Sequence, residues 1–219
     1  MKKYIPVLCC SKSKTVKSDI FSYNNQHYKF VASPDNAPKN GVLYCTPDDK
    51  IPGSGKKWRD LINKQNHKDL TPAFELYKNP VYSSLYEKYG KHFYIFSAGW
   101  GIVRSTFKLP YYNITYSAQS NKLGKRTKDM HWNDYNHLLE DIDTGVISSD
   151  AVIVLFAGMV YLDHFYEFAS ASKIKNKKII FHKSAKIKKI PGFEYKHYDK
   201  PISTNWFYNA ARDFFKILT

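Results

Sequence analysis

The stretch "DAVIVLFAGMVY" covers residues 150–161. Residues 151–155 form an unbroken apolar run ahead of Phe156, closed off by Ala157 and Gly158. A short continuous apolar run bounded by polar and small residues predicts a strand buried on both faces. Residues 158–170, "GMVYLDHFYEFAS", then follow an amphipathic helical pattern. Strand followed by helix is the unit of a parallel sheet.

The rest of the chain repeats this unit. "YIPVLCC" (4–10), "GVLYCTP" (41–47), "HFYIFS" (92–97) and "KKIIFH" (177–182) are further apolar runs that predict strands. Helical spacing is visible in "KWRDLINKQ" (57–65) and in "TPAFELYKNPVYSSLYEKY" (71–89). In the second of these, Thr71 is the expected N-cap, Pro72 sits at the first helical position, and Pro80 interrupts the helix. "DMHWNDYNHLLEDIDTG" predicts a helix ending at Gly145. "NWFYNAARDFFKIL" predicts a closing helix capped by Ser203 or Thr204. There is no internal repeat and no clear linker. The expectation is one α/β domain over residues 1–219, with a mainly parallel central sheet flanked by helices on both faces.

Composition constrains the partners. The chain carries 34 Lys and Arg against 19 Asp and Glu, a formal net charge of +15. Such an imbalance costs self-repulsion and favours a polyanionic partner, nucleic acid before an anionic membrane. A merely soluble, lysine-rich protein has the same counts. Aromatic residues make up 16% of the chain, enough for base stacking or for a thick core. Cys9, Cys10 and Cys45 are too few and too irregular for a disulfide framework, which points to a reducing, cytoplasmic setting. The apolar run at the N-terminus is too short for a secretion signal, and no run reaches the length of a membrane span.

In an open parallel sheet, ligands bind beyond the carboxyl ends of the strands. Three strands should end in distinctive sequences: "CCSKSK" (9–14), "SAGWG" (97–101) and "FAGMVY" (156–161). Ser11, Lys12, Ser13 and Lys14 combine hydroxyls and ammonium groups, a set that suits phosphate or carboxylate, although an ordinary solvated turn reads the same. Cys9 and Cys10 read as strand-end core thiols, with no histidine partner nearby. Ser97, Gly99, Trp100 and Gly101 form a small-residue exit in which Trp100 is either a core plug or a pocket wall. Tyr111, Tyr112 and Asn113 can hold a base by stacking and edge hydrogen bonds, or can simply pack into the core. "GSGKKW" (53–58) fails the phosphate-loop pattern and leaves Lys56 and Lys57 as a basic contact loop. His131 and His137 lie six apart, which does not place both on one helix face. With no metal-ligand spacing elsewhere, neither a metal nor a cofactor is expected.

Read together, "VLCCSKSK", "ELYKNPVYSSLYEKYGKHFYIFSAGWGIVRSTFKLPYYNIT" and "VIVLFAGMVY" resemble the YaaA-like superfamily. That group includes the peroxide-stress family and related domains of unknown function. The resemblance covers roughly residues 4–14 and 75–161. Residues 97–103 match its "LSAKYGL" element, with Trp100 in the aromatic slot. Residues 111–115 match its "PYDxT" element, and residues 157–161 its last element, ending at Tyr161. Two departures stand out: Pro110 lies one residue early, and Asn113 replaces the acid. The resemblance implies an α/β fold, a cytoplasmic location and DNA binding, with links to oxidative DNA damage and phage defence.

The resulting expectation is a DNA glycosylase that extrudes a modified base from double-stranded DNA and cleaves its N-glycosidic bond. Lys12 and Lys14 would hold phosphate or the departing base. Trp100 and Tyr112 would stack on the base, and Asn113 would read an edge. With Asn113 in place of the family's acid, the candidates are Asp163 and Asp199. Asp163 is favoured because a helix residue two past Tyr161 can face the rim, although a solvated helix carboxylate reads the same. Lys56, Lys57, Lys125 and Arg126 are the expected DNA contacts. A non-catalytic DNA-protecting protein and an enzyme acting on a free nucleotide are the competing readings. The sequence does not specify an oligomeric state.

Overall fold

The computed structural model describes residues 4–15, 18–117, 120–171, 175–184, 186–201 and 205–217. The chain opens with strand β1 (Tyr4–Cys9), then lays down β2 (Phe21–Tyr23), β3 (Gln26–Val31) and β4 (Leu43–Cys45). A short helix α1 (Trp58–Ile62) precedes β5 (Thr71–Pro72), α2 (Ala73–Leu76) and α3 (Val81–Tyr89). Next come β6 (Tyr94–Ser97), β7 (Gly101–Arg104), β8 (Lys108–Leu109), β9 (Tyr112–Asn113), β10 (Tyr135–Asn136) and α4 (His137–Asp143). The chain closes with β11 (Val152–Phe156), α5 (Leu162–Ala171), β12 (Lys177–His182), β13 (Phe193–His197) and α6 (Trp206–Phe215).

The main sheet has seven strands in the order β10-β7-β6-β1-β11-β12-β13. The apolar run of β11 fills its middle, paired in parallel with β1 from Tyr4↔Val152 to Leu8↔Phe156. β6 lies parallel on the other side of β1, with Val7 opposite Tyr94. All five residues of β11 are buried, as are the last five of β1, which is why neither strand shows polar alternation. Among the described residues, six of the thirteen strands lie outside this sheet. β2, β3, β4 and β9 make a smaller mixed sheet, while β5 and β8 pair on their own.

The expected α/β architecture with helices on both faces is corrected by this arrangement. The main sheet is only mostly parallel, because β7 turns back antiparallel to β6 with Gly101 opposite Ser97. Among the described residues the helices are short, the longest having ten residues, and they do not clearly flank both faces. The physical reason lies in residues 10–72, where prolines and turn residues break up helix and the chain builds a second sheet around aromatic rings. Trp58 is completely buried there, with Tyr28, Phe30 and Phe21 centred 4.5, 5.6 and 5.9 Å from it. Phe30 also packs edge-on against Trp100 at 5.3 Å and so joins this body to the main core.

Three local expectations change as well. Thr71 and Pro72 form an edge strand against Leu109 and Lys108 rather than a helix start. The helix expected from residue 129 begins only at His137, because Tyr135 and Asn136 pair with β7. Asn136 then caps that helix by accepting the Leu139 N–H at 3.1 Å. The expected caps Ser203 and Thr204 lie outside the described residues. Among the described residues, no helix is long and apolar enough to cross a membrane.

Candidate active site at the carboxyl rim

β6, β1 and β11 are neighbours, so their three carboxyl exits meet at one rim. The Cys10 N–H continues the pairing by donating to the Phe96 carbonyl at 2.9 Å. Cys10 Sγ receives the Ala98 N–H at 3.4 Å and lies 3.2 Å from the Tyr161 hydroxyl. Cys10 therefore touches one residue from each of the other two exits.

Ser97 organises the middle exit. Its Oγ accepts the Gly99 and Trp100 N–H groups at 3.3 and 3.1 Å and donates to the Tyr112 hydroxyl at 2.8 Å. The Tyr112 and Tyr77 hydroxyls are 2.6 Å apart. Gly99 leaves room for Tyr112, since a Cβ there would sit 3.1 Å from the ring. Gly101 has φ +86°, and a Cβ on it would lie 2.3 Å from the Tyr135 carbonyl oxygen. Glycine is therefore required at this turn.

Lys14 lies beside this network. Its backbone bridges to Tyr77, and its ammonium lies 4.1 Å from the centre of the Tyr112 ring, 5.2 Å from Tyr111 and 5.8 Å from Tyr77. The residue is 7% exposed. Among the described residues no carboxylate acts on it; burial lowers its pKa to about 8, against the opposing pull of the neighbouring Cys10 thiol. An amine without a carboxylate partner, desolvated and enclosed by rings, is a costly arrangement that clusters at functional sites. Ser11 is half-buried, and Lys12 and Ser13 are exposed above it. Tyr111 is half-buried and forms the outer wall of the cage; beyond it Ser18, Lys68, Asp69 and Thr71 help line a cavity of about 200 Å³.

The other side of the "SAGWG" turn is held by buried charge. Arg126 Nη1 donates to the Ala98 carbonyl at 2.9 Å, and Arg59 Nη2 donates to the Gly99 carbonyl at 3.0 Å. Asp134 lies between the two guanidiniums, 3.0 Å from Arg59 and 2.8 Å from Arg126. Arg59 also pairs with Asp48 at 2.5 Å. Burial raises the Asp48 pKa, but Arg59, the Asn133 N–H and Lys57 outweigh it and hold this carboxyl below its ordinary value. A second cavity, about 310 Å³, opens beside Arg126, Trp132, Asp134, His164 and Glu167. Burial, and then Arg126, lower the pKa of His164.

Several expected site residues stand elsewhere. Trp100 is completely buried against Phe30 and the Arg59 guanidinium, so in this fold it is a core residue with no face open to a base. Arg126 is 4% exposed and spent on Asp134 and Ala98, so it is not a surface contact for DNA. Asp163 is half exposed and ion-paired with Lys128, away from Lys14. Asn113 pairs with Val31 and packs against Gly124. Lys57 pairs with Asp48, Lys56 is exposed, and Lys125 is half-buried in a bridge to Thr115. The rim brings together Ser11, Lys14, Ser97, Tyr111, Tyr112 and Tyr161, beside Lys12 and Ser13.

Sequence reading missed Cys10 as a contact of this network and missed Tyr77, Arg59 and Asp134 altogether. The available signal was charge: Arg59 and Asp134 both sit in stretches rich in aromatic residues. Among the described residues, no group of three or more His, Cys, Asp or Glu side chains is placed to hold a metal ion. Comparison with protein-family models, with curated proteins and with solved structures gave no match.

Proposed function

We propose that this chain is a DNA-directed enzyme that excises a modified base, an N-glycosylase working at the carboxyl rim. The observation that carries this reading is Lys14, a buried amine without a carboxylate partner, caged by Tyr77, Tyr111 and Tyr112 where three strand exits converge. An N-glycosidic bond breaks through an oxocarbenium-like state with positive charge on the sugar. Ring faces stabilise a cation at this range. Lys12, exposed above the cage, suits the flanking phosphate.

Two further features support the reading. Met159 and Val160 are among the few exposed large apolar residues, at 42% and 46%, and they sit at the exit of β11 on the same rim. An apolar wedge there would fill the gap that an extruded base leaves in the stack. The order of "CSKSK", "SAGWG", "YYNIT" and "AGMVY" also resembles a superfamily associated with DNA damage.

The test is incubation with normal duplex DNA and with duplexes carrying oxidised or phage-type modified bases, followed by an assay for abasic sites. Abasic sites are expected on at least one modified duplex and not on normal DNA. If none form on any modified substrate while duplex binding persists, the protein protects or senses DNA and does not cut the glycosidic bond.

A further inference from the structure

A hydrolytic glycosylase places a carboxylate or a held water under the sugar. At this rim none of the ion pairs among the described residues brings a carboxylate to Lys14, and the half-exposed Asp163 is turned to Lys128. What the rim holds instead is an amine. We propose that Lys14 is the nucleophile of the reaction, its Nζ attacking C1′ of the deoxyribose and passing through a covalent imine to the DNA. This inference rests on the base-excision reading and assigns its chemistry.

The step balances without a cofactor. The neutral amine forms the N–C1′ bond as the C1′–base bond breaks, and the electron pair leaves with the base. The base takes a proton from the attached nitrogen. The nitrogen lone pair then opens the sugar ring: the C1′–O4′ bond breaks, C1′=N⁺ forms, and O4′ takes a proton from water. Water adds to the iminium and releases the free amine and the abasic aldehyde. An ordinary lysine is almost wholly protonated at neutral pH and cannot begin this sequence; desolvation in an apolar pocket frees the lone pair. Burial lowers the Lys14 pKa to about 8, opposed by the Cys10 thiol; among the described residues Cys10, Tyr77, Tyr111 and Tyr112 are the titratable groups that face the amine. The same rings then face the iminium: Tyr112, 4.1 Å from Nζ in the resting cage, lies under the positive charge that C1′=N⁺ carries. Tyr111, half-buried, is the side chain that must swing aside to admit the sugar.

The experiment uses the full chain and duplex DNA carrying a pre-formed abasic site, so that no particular base has to be recognised. Borohydride reduces any imine to a stable amine, and mass spectrometry locates the adduct. We expect a protein–DNA adduct on Lys14, absent in Lys14→Arg, which keeps the charge over the rings but has no nucleophilic amine. Thermal melting and duplex affinity of Lys14→Arg establish that it is folded. The trapping rate should rise about fivefold between pH 7 and pH 8 and level off above about pH 9, because the deprotonated amine is the reactive form. An adduct on Lys12 or another surface lysine overturns the proposal, as does trapping that survives in Lys14→Arg. If abasic sites form from a modified base but no imine is trapped, excision stands and the amine mechanism fails. If Lys14 is trapped on abasic DNA but no modified base is released, the amine assignment stands and the excision reading fails.

Discussion

Trp100 has no exposed surface, packs edge-on against Phe30 at 5.3 Å, and lies beneath the Arg59 guanidinium. Its indole N–H is buried without a hydrogen-bond partner. A residue so placed contributes through packing. Trp100→Ala should therefore cost roughly 3–5 kcal/mol of stability, measured by denaturant unfolding. Trp100→Phe should cost well under half of that, because it keeps the ring contact and removes an unsatisfied donor. A base-stacking role would give the opposite result, with near-normal stability and lost turnover. The contrast with Lys14 is instructive, since both are enclosed by aromatic rings. Burial leaves an indole chemically inert but makes an amine reactive. The two were read from one rim of the sequence, and only their surroundings separate them.

At the scale of the element, the informative feature is the β6–β7 turn. Three successive carbonyls, of Ala98, Gly99 and Trp100, point at two buried arginines. Asp134 pairs with both guanidiniums from the segment leading into β10, and Asp48 supplies the second negative charge through Arg59. The turn, helix α1 and the loop around Arg126 are thereby tied to one carboxylate. Asp134→Asn leaves buried Arg126 facing a neutral amide and Arg59 with Asp48 as its remaining carboxylate, and should cost about 3–5 kcal/mol, read from the same unfolding experiment. It should also loosen the Ser97–Tyr112 contact that positions the cage, because Ser97 opens the same turn. A variant that unfolds at the wild-type denaturant midpoint would show that Arg59 is held by Asp48 alone. Much of this element was legible: the strand, the exit and the need for small residues follow from "FSAGWG". The clamp was not, because its members are separated by 41 and 28 residues from the carbonyls they hold.

For the whole molecule, a net charge of +15 on 219 residues is the property most directly tied to a polyanionic partner. If the protein neutralises as few as four phosphates, duplex affinity should fall about 100-fold between roughly 50 and 200 mM salt. A fluorescence-anisotropy titration checks this, and affinity independent of salt would remove DNA from the account. The buried Arg59 and Arg126 take no part in such a surface, so the effect should follow the exposed lysines. What the sequence by itself determined is the central strands β1, β6, β11 and β12, whose short apolar runs predict burial without reference to a partner. It also determined that their exits carry the polar residues. The second sheet, the reversal of β7 and the limited helical cover were decided only by the tertiary structure. Short strands such as β2, β4 and β9 acquire their hydrogen bonds from residues far away in the chain. Lys14 and Trp100 were sorted in the same way. A side chain's type is local, but its desolvation depends on which distant rings close around it.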